Sequence, residues 1–84
     1  MFSEINEIFS EIRKLNVSED EKSKLIYLLI KTYSSEDNYI VFVNSYLEFL
    51  EMLESLNVKI SQKLYDFLER EARRMKNLLE KLNG

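Results

Sequence analysis

Residues 39–56 read YIVFVNSYLEFLEMLESL, and this stretch decides the fold. At about 100° per residue, Tyr39, Phe42, Val43, Tyr46, Phe49, Leu50, Leu53 and Leu56 fall on one side of a helix. Ile40 and Leu47 widen that side to an apolar arc of about 200°, twice the stripe a surface helix needs, and only Glu54 interrupts it. An arc that wide must touch at least two other elements, so the helix is expected to act as a central strut. The run Tyr39 to Val43 also suits a strand, being β-branched or aromatic throughout. No other segment reads as its partner, however, and a lone strand leaves its backbone N–H and C=O groups unmet. The water-facing side of the helix carries Asn44, Glu48, Glu51 and Ser55, with Val41 and Met52 on or beside it.

Working outward, the polar run Ser34-Ser35-Glu36-Asp37-Asn38 ends the preceding element, and Ser35, Asp37 and Asn38 each fit as the cap of the next. Before it, Ser18-Glu19-Asp20-Glu21 is a capping box that opens a helix over 19–33. Leu25, Ile26, Leu28, Leu29, Ile30 and Tyr33 surround most of this second helix, which predicts deep burial; Lys24, Lys31 and Tyr27 are left outside. The first helix is placed at 3–15 with Ser3 as its cap. Ile5, Ile8, Phe9, Ile12 and Leu15 form a narrow stripe on it, and Glu4, Glu7 and Glu11 face water.

Downstream, Ser61 caps a helix over 62–82, with Ile60 and Tyr65 spaced as a hydrophobic staple and Gly84 as the stop. Leu64, Phe67, Leu68, Met75, Leu78, Leu79 and Leu82 face its core side. At about 1.5 Å per residue it is ~30 Å long, close to the third helix, so antiparallel packing across the short link is open to the pair. The fold class read from these segments is all-α: one domain over 1–84, a compact four-helix bundle, with orthogonal or antiparallel packing left open. Phe9, Ile12, Leu15, Asn16 and Val17 echo Leu50, Leu53, Leu56, Asn57 and Val58 at a separation of 41. That spacing fits two related helical hairpins, or an LNV turn shared by chance.

Composition narrows the function. The 84 residues are 45% hydrophobic, enough for a small core but not for a large one. Cysteine and histidine are both absent, which removes thiolate zinc sites, disulfides and the commonest general base near neutral pH. No phosphate-cradling glycine loop or nucleophile–base pair is present, so no enzyme, cofactor, metal or small-molecule ligand is expected. The acids in Met1 to Leu15 argue against a signal peptide, and no run approaches a membrane span, so a cytoplasmic protein is expected.

Two features point to a partner. The second and third helices carry more apolar surface than two narrow neighbours can cover, so a protein partner or a homo-oligomer is expected. Tyr27, Tyr33, Val41 and Met52 are the candidate leftovers. Glu71 lies on the core side of the fourth helix, where it either pairs with Arg74 or faces a partner's cation. The expected function is a non-enzymatic accessory subunit or adaptor. The alternative is nucleic-acid contact through Lys63, Arg70, Arg73, Arg74 and Lys81, within a segment that is net positive, against 11 acids and 6 bases in residues 1–62. A third reading is an acidic mimic of nucleic acid using Glu4, Glu7, Glu11, Glu48 and Glu51.

Overall fold

The computed structural model describes residues 2–35 and 37–83, leaving out the side chains of residues 2, 3, 82 and 83. The described residues form four helices and no strand: α1 (Phe2–Arg13), α2 (Glu19–Ser34), α3 (Tyr39–Leu56) and α4 (Gln62–Asn83). The all-α four-helix reading holds, and the stretch from Tyr39 is helical from its first residue. The Ser3 cap, the core role of Leu82 and the Gly84 stop fall outside the described side chains and residues. α1 begins before Ser3 and ends at Arg13; Lys14 and Leu15 follow as a tightened turn, their N–H groups donating to the carbonyls of Glu11 and Ile12 at 3.2 and 3.1 Å.

Local chemistry sets the helix starts. In the capping box, Glu21 N–H donates to the Ser18 hydroxyl at 3.2 Å and Ser18 N–H to the Glu21 carboxylate at 3.0 Å. Among the three candidates for capping α3, Asn38 does it, its side-chain oxygen accepting from Val41 N–H at 3.3 Å. Ser61 caps α4 by accepting from Leu64 N–H at 3.2 Å. Its hydroxyl also serves Glu11, and together with Lys14 it holds the Glu11 carboxyl below the usual carboxylate range. α3 stops at Asn57, which takes the left-handed conformation (φ 50°) that asparagine tolerates better than most residues. Asn57 alone among the described residues has positive φ, so Asn16 in the echoed turn is built differently.

The main core joins all four helices: Ile8, Ile12 and Leu15 from α1 and its end, Leu25, Leu28 and Leu29 from α2, Phe49 and Leu53 from α3, Leu64 and Phe67 from α4. A smaller cluster of Phe42, Tyr46 and Met75 lies between α3 and the second half of α4. Two polar side chains are also enclosed. Thr32 returns its hydroxyl to the Leu28 carbonyl at 2.6 Å, and Ser45 is a small residue on the buried face of α3.

The helices pack unequally. α2 and α3 form the most extensive pair, and α1 packs against both α2 and α4. α3 and α4, for which antiparallel packing was left open, do not pack closely. Long side chains span the gap: Tyr46 hydroxyl donates to the Leu68 carbonyl at 3.1 Å, and the Arg74 guanidinium lies 5.4 Å from the centre of the Phe42 ring. Because the order 42, 46 on α3 meets 74, 68 on α4, the two run in opposite directions. The bundle is thus closed along three helix pairs and open along the fourth. α2 is also less enclosed than its composition predicts, since Tyr27 and Ile30 are 61% and 52% exposed. One face of α2 meets α1 and α3, and nothing among the described residues covers the other. No described helix is long and apolar enough to cross a membrane.

Candidate functional site

The open side is an apolar groove along the α3–α4 seam. Its half next to the link holds about 530 Å³ among Leu50, Leu53, Val58, Ile60, Tyr65 and Leu68. A second hollow of about 330 Å³ continues past Leu50 and Ala72 to Val43, Leu47, Met75 and Leu79. The shared residues Leu50 and Ala72 make the two hollows one trough.

Both walls have the same construction. On α3, Ile40, Val43, Leu47 and Leu50 are spaced by three and four residues; on α4, Tyr65, Leu68, Ala72, Met75 and Leu79 follow the same alternation. That is the spacing of a coiled-coil seam, which places apolar residues toward a neighbouring helix. Their exposure marks the missing neighbour: Ile40 is 73% exposed, Leu47 47% and Leu79 42%. Leu79, expected in the core, is therefore a groove residue. The wide arc of α3 divides into two faces, with Phe42, Ser45, Tyr46, Phe49 and Leu53 buried in the bundle and Ile40 and Leu47 turned to the seam. The exposed Ala72 lies opposite Leu50, where the two hollows meet.

The residues singled out from sequence lie elsewhere. Tyr27 is exposed on α2 beside Ile30, over a shallow hollow that also includes Arg13, Glu19 and Lys22. Val41 and Met52 are half-buried, and Met52 packs against the main core. Tyr33 is not surplus surface. Its ring meets Phe42 edge-on at 6.0 Å and Phe67 at 6.2 Å, and its hydroxyl donates to the Glu71 carboxylate. Arg74 lies 3.3 Å from the same carboxylate, as expected from its spacing, and the Glu71 side chain is only 12% exposed. The groove residues Leu47 and Leu79 were not among the interface residues read from the sequence, although the three-and-four spacing of their stripes was visible there.

Burial, then the hydrogen bond and charge of Glu71, push the Tyr33 hydroxyl far above its ordinary value. Burial and the same carboxylate raise Tyr46. A raised value means that the neutral hydroxyls stabilise the fold fully below about pH 10, and that this contribution is lost as pH climbs above it. An alkaline titration followed by tyrosinate absorbance and by helical circular dichroism is expected to show these two tyrosines ionising only as the helices melt. Tyrosinate absorbance for all five tyrosines, complete while helicity is intact, would contradict this.

The basic stripe is largely occupied within the chain. Lys63 pairs with Glu7 at 3.3 Å, Arg70 with Glu4 at 2.9 Å, Arg73 with Glu69 at 3.2 Å and Arg74 with Glu71. Asp66, spaced to pair with Arg70, instead accepts from Gln62 at 2.8 Å, while Arg70 reaches across to α1. The same ion pairs engage Glu4 and Glu7, and Glu11 pairs with Lys14 at 3.2 Å, so three carboxylates of the acidic-mimic reading are also engaged. Lys81 is exposed near the end of α4. No group of His, Cys, Asp or Glu among the described residues is arranged to hold a metal ion. Compared with known proteins, the chain matches no family model, no curated protein and no solved structure.

Proposed function

We propose that this protein is a non-enzymatic helical adaptor or accessory subunit that works by docking another protein surface on its α3–α4 side. The observation that carries the reading is the open fourth side of the bundle, walled by two apolar stripes at coiled-coil spacing. Apolar side chains held in water at this spacing gain by burial, at about 25 cal/mol per Å² covered. Scattered exposed apolar residues are ordinary on any protein, but two aligned stripes flanking one trough are a contiguous patch of the kind that marks interaction sites.

The test is capture of partners from the source cells by the tagged full chain, together with its mass in solution. Leu47→Glu puts a charge at the centre of the seam, at a half-exposed position where the fold is expected to lose no more than about 1 kcal/mol. Any complex or self-association seen with the parent chain is expected to disappear in Leu47→Glu and to survive Ile30→Glu, the same kind of change on the exposed face of α2. Complexes that persist in Leu47→Glu, or that both variants abolish equally, would overturn the reading.

A further inference from the structure

The two walls of the seam differ in charge. α3 carries Glu48, Glu51 and Glu54 and no basic residue. All three are exposed, and none takes part in an ion pair among the described residues. At 100° per residue, Glu54 lies within the groove stripe, Glu51 about 40° outside Leu47 and Glu48 about 100° outside it, all on the side away from the core. The opposite edge, on α4, is mixed: Glu69 is bridged by Arg73, and Lys76 and Glu80 line the far hollow together. An occupant of the groove therefore meets uncompensated negative charge on α3, from Glu54 within it and Glu51 at its rim, and a balanced edge along α4.

Resting on the docking reading, we propose that the seam seats one amphipathic helix of a partner protein, with basic residues along the flank that faces α3. On the α3 side the trough runs from Val43 to Asn57, about 21 Å, which is the length of roughly 14 helical residues. A helix with an apolar stripe at alternating three- and four-residue spacing would complete the knobs-into-holes packing that both walls begin. A second copy of the chain fits worse. A two-fold that lays α3 along α3 of the other copy opposes two acidic edges. Like charges disfavour that arrangement, whereas a basic flank turns the same acids into attraction.

The experiment uses the full chain and two labelled synthetic peptides of about 18 residues, with identical leucine stripes and a flank of either lysine or glutamate. At low salt the lysine-flanked peptide is expected to bind about tenfold or more tightly than its counterpart, with the advantage shrinking as salt rises. Leu47→Glu should remove binding of both, and Glu51→Lys with Glu54→Lys should invert the preference. Absent binding of the lysine-flanked peptide, equal affinities, a preference that does not invert, or binding that survives Leu47→Glu would each overturn the inference. So would a dimer of the parent chain that Leu47→Glu dissociates, which would make the occupant a second copy while leaving the docking reading standing.

Discussion

Replacing Phe49 by alanine is expected to lower the unfolding free energy by about 3–5 kcal/mol, the range seen when a fully buried phenylalanine is truncated. Phe49 is completely enclosed on α3, in the one cluster to which all four helices contribute, and its ring stacks on Tyr46 with centroids 6.5 Å apart. A chain of this length holds on the order of 4–13 kcal/mol in total. The loss therefore takes a large share of the stability and leaves a substantial unfolded population. The loose α3–α4 side gives the neighbours some room to relax, which favours the lower part of the range. Denaturant unfolding of the two proteins, compared at equal slope, measures the difference. A loss below about 1 kcal/mol would mean that α3 is not the strut described here. Leu79→Ala, made on the groove, provides the contrast and should cost much less, because much of that side chain already lies in water.

The second large effect concerns Tyr33 and Glu71, a pair joined across 38 residues of chain. Tyr33→Phe leaves the Glu71 carboxylate largely out of water with one hydrogen-bond partner fewer, and is expected to cost about 1–3 kcal/mol. Glu71→Leu leaves the Tyr33 hydroxyl without its acceptor and should cost a similar amount, reduced by the leucine's own burial near Leu68 and Met75. The double variant removes both polar groups at once. It should be no worse than the milder single variant, giving a coupling energy of about 1–2 kcal/mol. The pairing of Glu71 with Arg74 adds little to this sum, because Arg74 is 44% exposed and solvent screens it. Strictly additive single effects in a thermal or denaturant series would show that the two side chains do not act as a unit.

The cycle also separates two roles for Glu71. A carboxylate kept only to satisfy Tyr33 can be replaced together with its partner, without effect on docking. A carboxylate kept for a partner's cation cannot. In the structure Glu71 points into the fold toward Tyr33 and lines neither hollow of the groove. The expected result is that the double variant binds the lysine-flanked peptide as the parent chain does.

Helix positions, the capping box at Ser18, the Ser61 cap and the core residues Ile8, Ile12, Leu25, Phe49, Leu64 and Phe67 were all legible in the primary structure. Each depends on spacing within about one helical turn, and a turn's geometry is the same in any fold. The excess of apolar surface was legible too, since a 200° arc on α3 is a property of one helix. Its location was not. Whether Ile40 or Met52 stays in water depends on which neighbour α3 presses against, and that is settled by α2 packing tightly and α4 loosely. Ion-pair partners follow the same rule. Arg73 with Glu69 and Arg74 with Glu71 could be read from intervals of four and three, while Arg70 with Glu4 and Lys63 with Glu7 appear only once α1 lies along α4. Local order follows from nearest neighbours along the chain, but a groove is the space between segments, and its shape depends on how far apart the packed core holds them.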